Sequence, residues 1–161
     1  MPEDYLSHRP LALARLSQFR QSLSLPGNSM DLSEHQLSSL SPVALAYIGD
    51  AVYELFVRGA LLIPPRRIKA YHRQVVHQVR AEQQSLTLQQ LLPLLTEAEQ
   101  DILRRGRNAS PKGPKRLDGP TYQQATGFEA LIGYLYLTNL ERLVELLSQI
   151  DLTVPEAGLS S

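Results

Sequence analysis

Leu45-Ala46-Tyr47-Ile48-Gly49-Asp50-Ala51-Val52-Tyr53-Glu54-Leu55 is the stretch of sequence that decides the fold of this chain. It lies within residues 43–57, a segment in which Asp50 and Glu54 are the two charged residues. An ionised carboxylate in such apolar surroundings costs free energy unless a cation or hydrogen-bond donors compensate it. The stretch therefore predicts a largely buried helix whose acid has a specific partner, and a bound metal ion is one such partner.

A second stretch repeats this pattern later in the chain. Ala125-Thr126-Gly127-Phe128-Glu129-Ala130-Leu131-Ile132-Gly133-Tyr134-Leu135 contains one charged side chain, that of Glu129. Two lone acids on two apolar helices indicate a site that the helices share. Carboxylate oxygens are the ligands that Mg²⁺ prefers, with Mn²⁺ as the alternative, and such a cation polarises a phosphodiester and activates water.

Segments with helical patterns follow one another through the centre of the chain, and no segment shows the alternation of apolar and polar residues that is typical of a strand. Ser41 supplies an N-cap oxygen and Pro42 suits the first helical position, so the helix of Asp50 should run from there to about Leu62. The sequence predicts further helices over about residues 66–84, 86–95, 96–106, 121–137 and 140–150. The predicted fold class is all-α, a helical bundle.

The length of 161 residues suits one domain with a buried core. We expect a mobile N-terminal extension over residues 1–31, a domain over 32–150 and a disordered tail over 151–161. The chain has no cysteine, which removes disulfides and thiolate metal sites. No apolar run reaches the ~18 residues of a membrane span, and the N-terminus lacks a hydrophobic signal core. A cytoplasmic protein without a membrane partner is predicted.

Positive charge is concentrated in the centre of the chain, although the net charge is zero. Residues 65–121 carry eleven Lys and Arg against five Asp and Glu, and acid-rich segments flank them. Residues 104–116 contain six cations, no acid and several Gly and Pro residues, which predicts a basic loop. Such a loop suits phosphate groups, and a solvated face of mixed charge is the alternative interpretation.

Taken together, these motifs resemble the ribonuclease III family over about residues 40–147. Gly49-Asp50-Ala51 in its apolar helix is similar to the family signature, and Glu129-Ala130-Leu131-Ile132-Gly133 is similar to the family's later helix. The subfamily that the chain resembles most is Mini-III, the short form without a double-stranded-RNA-binding domain. The residues that resemble the Mini-III loop are Arg105-Gly106-Arg107-Asn108-Ala109, Pro114-Lys115, Asp118 and Thr121-Tyr122.

The resemblance implies a metal-dependent endoribonuclease that hydrolyses double-stranded RNA to 5′-phosphate and 3′-hydroxyl ends, with Asp50 and Glu129 as catalytic residues that bind Mg²⁺. It further implies maturation of precursor 23S ribosomal RNA and a homodimer built on the helix of Asp50. Because the Mini-III form has no RNA-binding domain, we expect the basic loop to supply much of the affinity. The candidate RNA-binding residues are Arg104, Arg105, Arg107, Asn108, Lys112, Lys115 and Arg116.

Two positions depart from the larger members of the family. Those enzymes have a glutamate four residues before the signature aspartate and an aspartate three residues before the later glutamate, where this chain has Ala46 and Thr126. We interpret the thinner carboxylate set as a trait of the Mini-III form. Thr126 and Glu54, one helical turn after Asp50, are candidates for supporting roles beside the metal. For Glu54 a salt bridge to a neighbouring helix is the favoured alternative.

Two alternative functions stay open. An RNA-binding scaffold could keep the same fold without catalysis, which the presence of both Asp50 and Glu129 disfavours. A helical nucleic-acid-binding regulator would give the lone acids no purpose. His72 and His77 lie about 140° apart around a helix and so do not form one metal-binding face. Their roles, and that of Gln84, are not assigned by the sequence.

Overall fold

A computed structural model describes residues 32–153 and, before them, Ala14, Arg15 and Gln18. Within this part of the chain every regular element is helical, which confirms the all-α prediction. The α-helices of the domain are α1 Glu34–Ser39, α2 Pro42–Leu61, α3 Ile68–Val79, α4 Ala81–Leu91, α5 Glu97–Ala109, α6 Gly119–Thr138 and α7 Leu140–Ser148, with a 3-10 turn at Leu92–Leu94.

The starts of the helices are set by capping side chains. The Ser41 hydroxyl accepts from the backbone N–H of Ala44 at 3.1 Å, and α2 then runs from Pro42 as expected. At the start of α5, Thr96 and Glu99 form a capping box, because each side chain accepts from the backbone N–H of the other residue. These caps satisfy orphan N–H groups and fix where α2 and α5 begin.

The prediction of a single helix over residues 66–84 is wrong. The chain leaves helical geometry at Arg80, where φ is −67° and ψ is 151°, and α4 begins at Ala81. No Gly or Pro marks this break in the sequence. The bend allows Val75 of α3 and Leu88 of α4 to reach the same core, so tertiary packing overrides a locally continuous helical pattern.

The prediction that residues 104–116 form one loop is also wrong in its first half. Helix α5 continues through Gly106 to Ala109, so the loop proper spans residues 110–118. Gly106 is buried against α6, and a Cβ atom placed on it would lie 2.7 Å from the Cβ of Ala130. The glycine therefore serves close helix packing and does not break the helix.

Helices α2 and α6 form the centre of the bundle, and the other helices pack around them. Tyr53 of α2 and Phe128 of α6 are fully buried, with ring centroids 5.0 Å apart in an edge-to-face arrangement. Leu143, Leu146 and other residues of α7 close the same core. The two apolar stretches of the sequence are thus the two helices that share the core.

The backbones of α2 and α6 touch where the helices cross. A Cβ atom on Gly49 would lie 1.7 Å from the carbonyl oxygen of Glu129, and one on Gly133 would lie 2.0 Å from the carbonyl oxygen of Leu45. No side chain larger than hydrogen fits at either position without moving a helix. Because Gly49 precedes Asp50 and packs against Glu129 itself, this crossing determines where both acids lie.

A buried ion pair holds α7 against α5. Arg142 donates to the two carboxylate oxygens of Glu99 at 2.8 and 3.1 Å, and also to the carbonyl oxygen of Leu94 at 2.7 Å. The Glu99 side chain is 7% exposed. Its Arg142 partner compensates the charge that burial would otherwise penalise.

The packed core extends beyond the predicted domain boundary at residue 150. Leu152 is fully buried, and its carbonyl oxygen accepts from Gln78 Nε2 at 3.0 Å. The expectations for residues 1–31 and 154–161 fall almost entirely outside the described residues. Among the helices that the structure describes, none is both long and apolar enough to cross a bilayer.

Candidate active site

Asp50 and Glu129 meet where α2 crosses α6. Their carboxyl groups lie close enough for each to shift the pKa of the other. Asp50 is exposed to solvent, whereas Glu129 is partly buried. The expectation that both acids are buried is therefore wrong for Asp50, because this edge of α2 is not covered by another described helix.

The pair is electrostatically unfavourable when both acids are ionised. Burial, followed by the negative charge of Asp50, raises the pKa of Glu129 to about 7. Partial burial and the negative charge of Glu54 raise the pKa of Asp50, and a hydrogen bond to Glu129 opposes that rise. Within the described residues, no Lys, Arg or His forms an ion pair with either carboxyl. The geometry thus favours one shared proton or an added cation.

The residues present fit a divalent cation with few protein ligands. Two facing carboxylates supply hard oxygen atoms of the type that Mg²⁺ and Mn²⁺ accept. Within the described part of the chain, no cluster of three or more His, Cys, Asp or Glu residues could hold a metal ion. Most coordination positions would therefore belong to water and to phosphate oxygens of a substrate.

The two residues predicted to support this site have other partners. Glu54 forms an ion pair with Arg58, one turn further along α2. A salt bridge is the alternative that the sequence favoured for Glu54, but the partner lies on the same helix and not on a neighbouring one. The Thr126 hydroxyl donates to the carbonyl oxygen of Tyr122 at 3.0 Å and accepts from the Ser110 hydroxyl at 3.1 Å. Thr126 therefore connects α6 to the loop, and within residues 32–153 it forms no hydrogen bond to either acid.

Four of the predicted RNA-binding residues lie on the last turns of α5. Arg105, Arg107 and Asn108 are exposed there, and the Arg104 guanidinium pairs with Asp101. The stem of Arg107 packs close to Gly127 of α6, two residues before Glu129. These side chains therefore extend from the helix that borders the active-site helix.

The other three cations, Lys112, Lys115 and Arg116, are exposed on the loop of residues 110–118. Gly113 packs so closely on the Tyr122 ring that an added Cβ would lie 2.6 Å from its Cγ. Together with the bond from Ser110 to Thr126, this contact attaches the loop to the first turns of α6. None of the three cations takes part in an ion pair within the described residues.

The sequence assigns no role to Gln84, and the structure places this residue beside Glu129. Gln84 is 1% exposed, and hydrogen bonding by its side chain opposes the rise in the Glu129 pKa. A glutamine in a polar stretch gives no local signal of burial, so only the fold reveals it. His72 is exposed on α3, whereas burial and then Arg80 lower the pKa of the partly buried His77.

Comparisons with known proteins agree with this architecture. Residues 43–140 match the Ribonuclease III domain. A Mini-ribonuclease 3 of Thermosynechococcus vestitus is 57% identical over 122 residues, which cover 76% of this chain and 79% of that relative. The Mini-ribonuclease 3 of Gloeobacter violaceus is 52% identical over 116 residues, covering 72% and 86%.

A solved structure extends the agreement to three dimensions. The crystal structure of a Fusobacterium nucleatum protein matches with a TM-score of 0.62 and 31% identity, covering 67% of this chain and 89% of that one. The helical bundle and the domain match define a ribonuclease catalytic domain. The chain belongs to the ribonuclease III family, in the form named Mini-ribonuclease 3.

Replacing Glu129 by Gln should stabilise the metal-free protein, and more so at high pH. A folded-state pKa of about 7, above the ordinary 4.5, means that folding loses stability as pH rises from about 4.5 through 7. Glu129→Gln removes this loss, so the gain should be roughly 1–3 kcal/mol at pH 8.5 and small at pH 4.5. Urea unfolding in EDTA at both pH values measures it.

Glu141→Gln on α7 is the matched control, because that carboxyl group is exposed. Its variant should change stability by less than about 0.5 kcal/mol at either pH. An equal gain for Glu129→Gln at both pH values would show that ionisation of Glu129 is not the cause.

Proposed function

We propose that this ribonuclease is an endoribonuclease that hydrolyses double-stranded RNA with Mg²⁺ or Mn²⁺, leaving 5′-phosphate and 3′-hydroxyl ends. The observation that carries the proposal is the pair Asp50 and Glu129, two interacting acids with which no Lys, Arg or His of the described residues forms an ion pair. Precursor 23S ribosomal RNA in the cytoplasm is the proposed substrate, in keeping with the Mini-ribonuclease 3 form of the chain.

Each acid has a distinct part in this function. Asp50 is exposed and can reach a phosphate group of a bound duplex, whereas Glu129 is held by the crossing of α2 and α6. A divalent cation bound between them would supply a Lewis acid that activates water and stabilises charge on the leaving oxygen. The rigid crossing keeps the two carboxylates at a fixed separation and so reduces the reorganisation needed during the reaction.

The cations of α5 and of the loop form the proposed RNA-binding surface. They lie on two elements that pack against α6, the helix of Glu129. An A-form duplex is recognised through its phosphates and 2′-hydroxyl groups across the minor groove, which suits Arg, Lys and Asn side chains. Because the loop is attached to α6, its cations would meet the duplex at a constant position relative to the two acids.

Asp50→Asn and Glu129→Gln should each lower the rate of duplex RNA cleavage by at least about 100-fold while leaving RNA binding intact. Both changes remove a metal ligand without changing the size of the side chain. Single-turnover cleavage in Mg²⁺ and filter binding of the same RNA measure the two properties. Glu141→Gln is again the control and should cleave normally, and near-normal cleavage by Asp50→Asn would exclude this site.

Replacing Lys112, Lys115 and Arg116 by Ala should weaken RNA binding and flatten its salt dependence. Each lost phosphate contact lowers the slope of log K against log salt by about 0.7–0.9, so the triple variant should lose up to ~2–3 units of slope. Binding is measured over a range of NaCl concentrations in the Asp50→Asn background, where cleavage does not interfere.

The charge-retaining triple variant Lys112→Arg, Lys115→Arg and Arg116→Lys is the control. Its salt slope should equal that of the parent, because the number of cations is unchanged. If the alanine variant also keeps the parental slope and affinity, the loop is a solvated segment that does not touch RNA.

We also propose that the protein is a homodimer whose contact is the outer face of α2. Helix α2 buries one face in the core, yet Tyr47 on the opposite face is 86% exposed, and Val43 and Leu55 are 43% and 51% exposed. These three residues follow one another at intervals of four and eight positions, which places them along one side of the helix. A two-fold axis would bring the same face of a second copy against it.

Tyr47→Lys combined with Leu55→Lys should convert a dimer into a monomer, because the axis would bring like charges together in a desolvated contact. Sedimentation should give twice the chain mass of 18.0 kDa for the unchanged protein and 18.0 kDa for the variant. Leu86→Lys with Leu94→Lys is the control, since these leucines are 59% and 47% exposed on another part of the surface. An unchanged protein that already sediments at 18.0 kDa contradicts the dimer.

A further inference from the structure

Gln84 is a buried amide whose donor group lacks a well-formed hydrogen bond. Its side chain is 1% exposed, and Nε2 makes no hydrogen bond of standard geometry within residues 32–153. An amide nitrogen carries two N–H donors and no acceptor. Because burial of an unpaired donor costs free energy, such a group calls for an explanation.

The packing of α4 holds Gln84 at the active site. Ser85, the next residue, hydrogen-bonds to Gln124 of α6, five residues before Glu129. Leu88 and Leu91 bury the same side of α4 in the core. With α4 attached to α6 in this way, the Gln84 amide reaches the Glu129 carboxyl, and hydrogen bonding by this side chain lowers the pKa of that carboxyl against the effect of burial.

We propose that Gln84 is a positioning residue for Glu129: Nε2 donates to one oxygen of the ionised carboxylate and leaves the other oxygen facing Asp50 and a divalent cation. The inference rests on the proposed function of the two acids. This role accounts for Gln84 Nε2, a donor for which the described residues provide no other acceptor. An ionised Glu129 carboxylate provides that acceptor. When a group that hydrogen-bonds to a metal ligand and orients it is removed, metal affinity falls by about 10–100-fold.

The test is Gln84→Met, which keeps an unbranched side chain of similar length but removes both donors. Gln78→Met is the matched control, because Gln78 is also 1% exposed but its Nε2 already donates to Leu152. Mn²⁺ binding to the RNA-free protein, followed by EPR, and the Mg²⁺ concentration for half-maximal cleavage are measured for both variants. Gln84→Met should weaken metal binding and raise the Mg²⁺ requirement about 10-fold, whereas Gln78→Met should leave both unchanged.

The outcomes separate this inference from the function on which it rests. If Asp50→Asn is inactive while Gln84→Met binds Mn²⁺ like the unchanged protein, the active site stands and the role of Gln84 is wrong. If Asp50→Asn cleaves normally, the proposed active site itself is wrong.

A second measurement needs no variant and decides the matter should Gln84→Met not fold. The side-chain ¹⁵N amide resonances of Gln84 in the unchanged protein should shift during a Mg²⁺ titration, whereas those of Gln78 should not. Gln84 resonances that stay fixed while the backbone amides of Asp50 and Glu129 shift would overturn the inference.

Discussion

The direct contact between the backbones of α2 and α6 is the constraint on which the rest of the structure depends. Gly49 and Gly133 allow each helix to press against a carbonyl oxygen of the other, with no space for an additional methyl group. If larger side chains stood at these two positions, the helix axes would lie further apart, and so would the two acids. The crossing therefore explains why an apolar helix pair, built mainly for the core, also brings Asp50 and Glu129 together.

The sequence predicted the two central helices and the paired acids because both signals are local. Apolar runs with one or two carboxylates, and the caps at Ser41 and Thr96, specify α2, α5 and α6 without knowledge of any partner. The break at Arg80 and the continuation of α5 through Gly106 were not predictable in this way. Both depend on which neighbour the helix packs against, and a glycine that permits close packing looks the same in sequence as one that ends a helix.

The depth of the two acids was also beyond the sequence. Apolar neighbours along the chain indicated burial for both, yet Asp50 is exposed to solvent and Glu129 is partly buried. The difference matters for function, because the exposed acid can meet a large substrate while the enclosed one keeps a strongly perturbed pKa. In the same way, the basic segment proved to be part helix and part loop, and Ser110 with Thr126 joins it to the active-site helix.

The ion pair between Glu99 and Arg142 gives the protein a second buried carboxylate with the opposite response to acid. Arg142 lowers the pKa of Glu99, so this contact stabilises the fold at pH values above the ordinary pKa of a glutamate. That stabilisation is lost as the pH falls through the lowered pKa of Glu99. Glu129 works in the reverse sense, since its ionisation weakens the metal-free fold as pH rises towards neutrality and beyond. The stability of the metal-free chain should therefore follow a dome-shaped curve with its maximum in mildly acidic solution, and a cation between Asp50 and Glu129 would displace that maximum towards neutral pH.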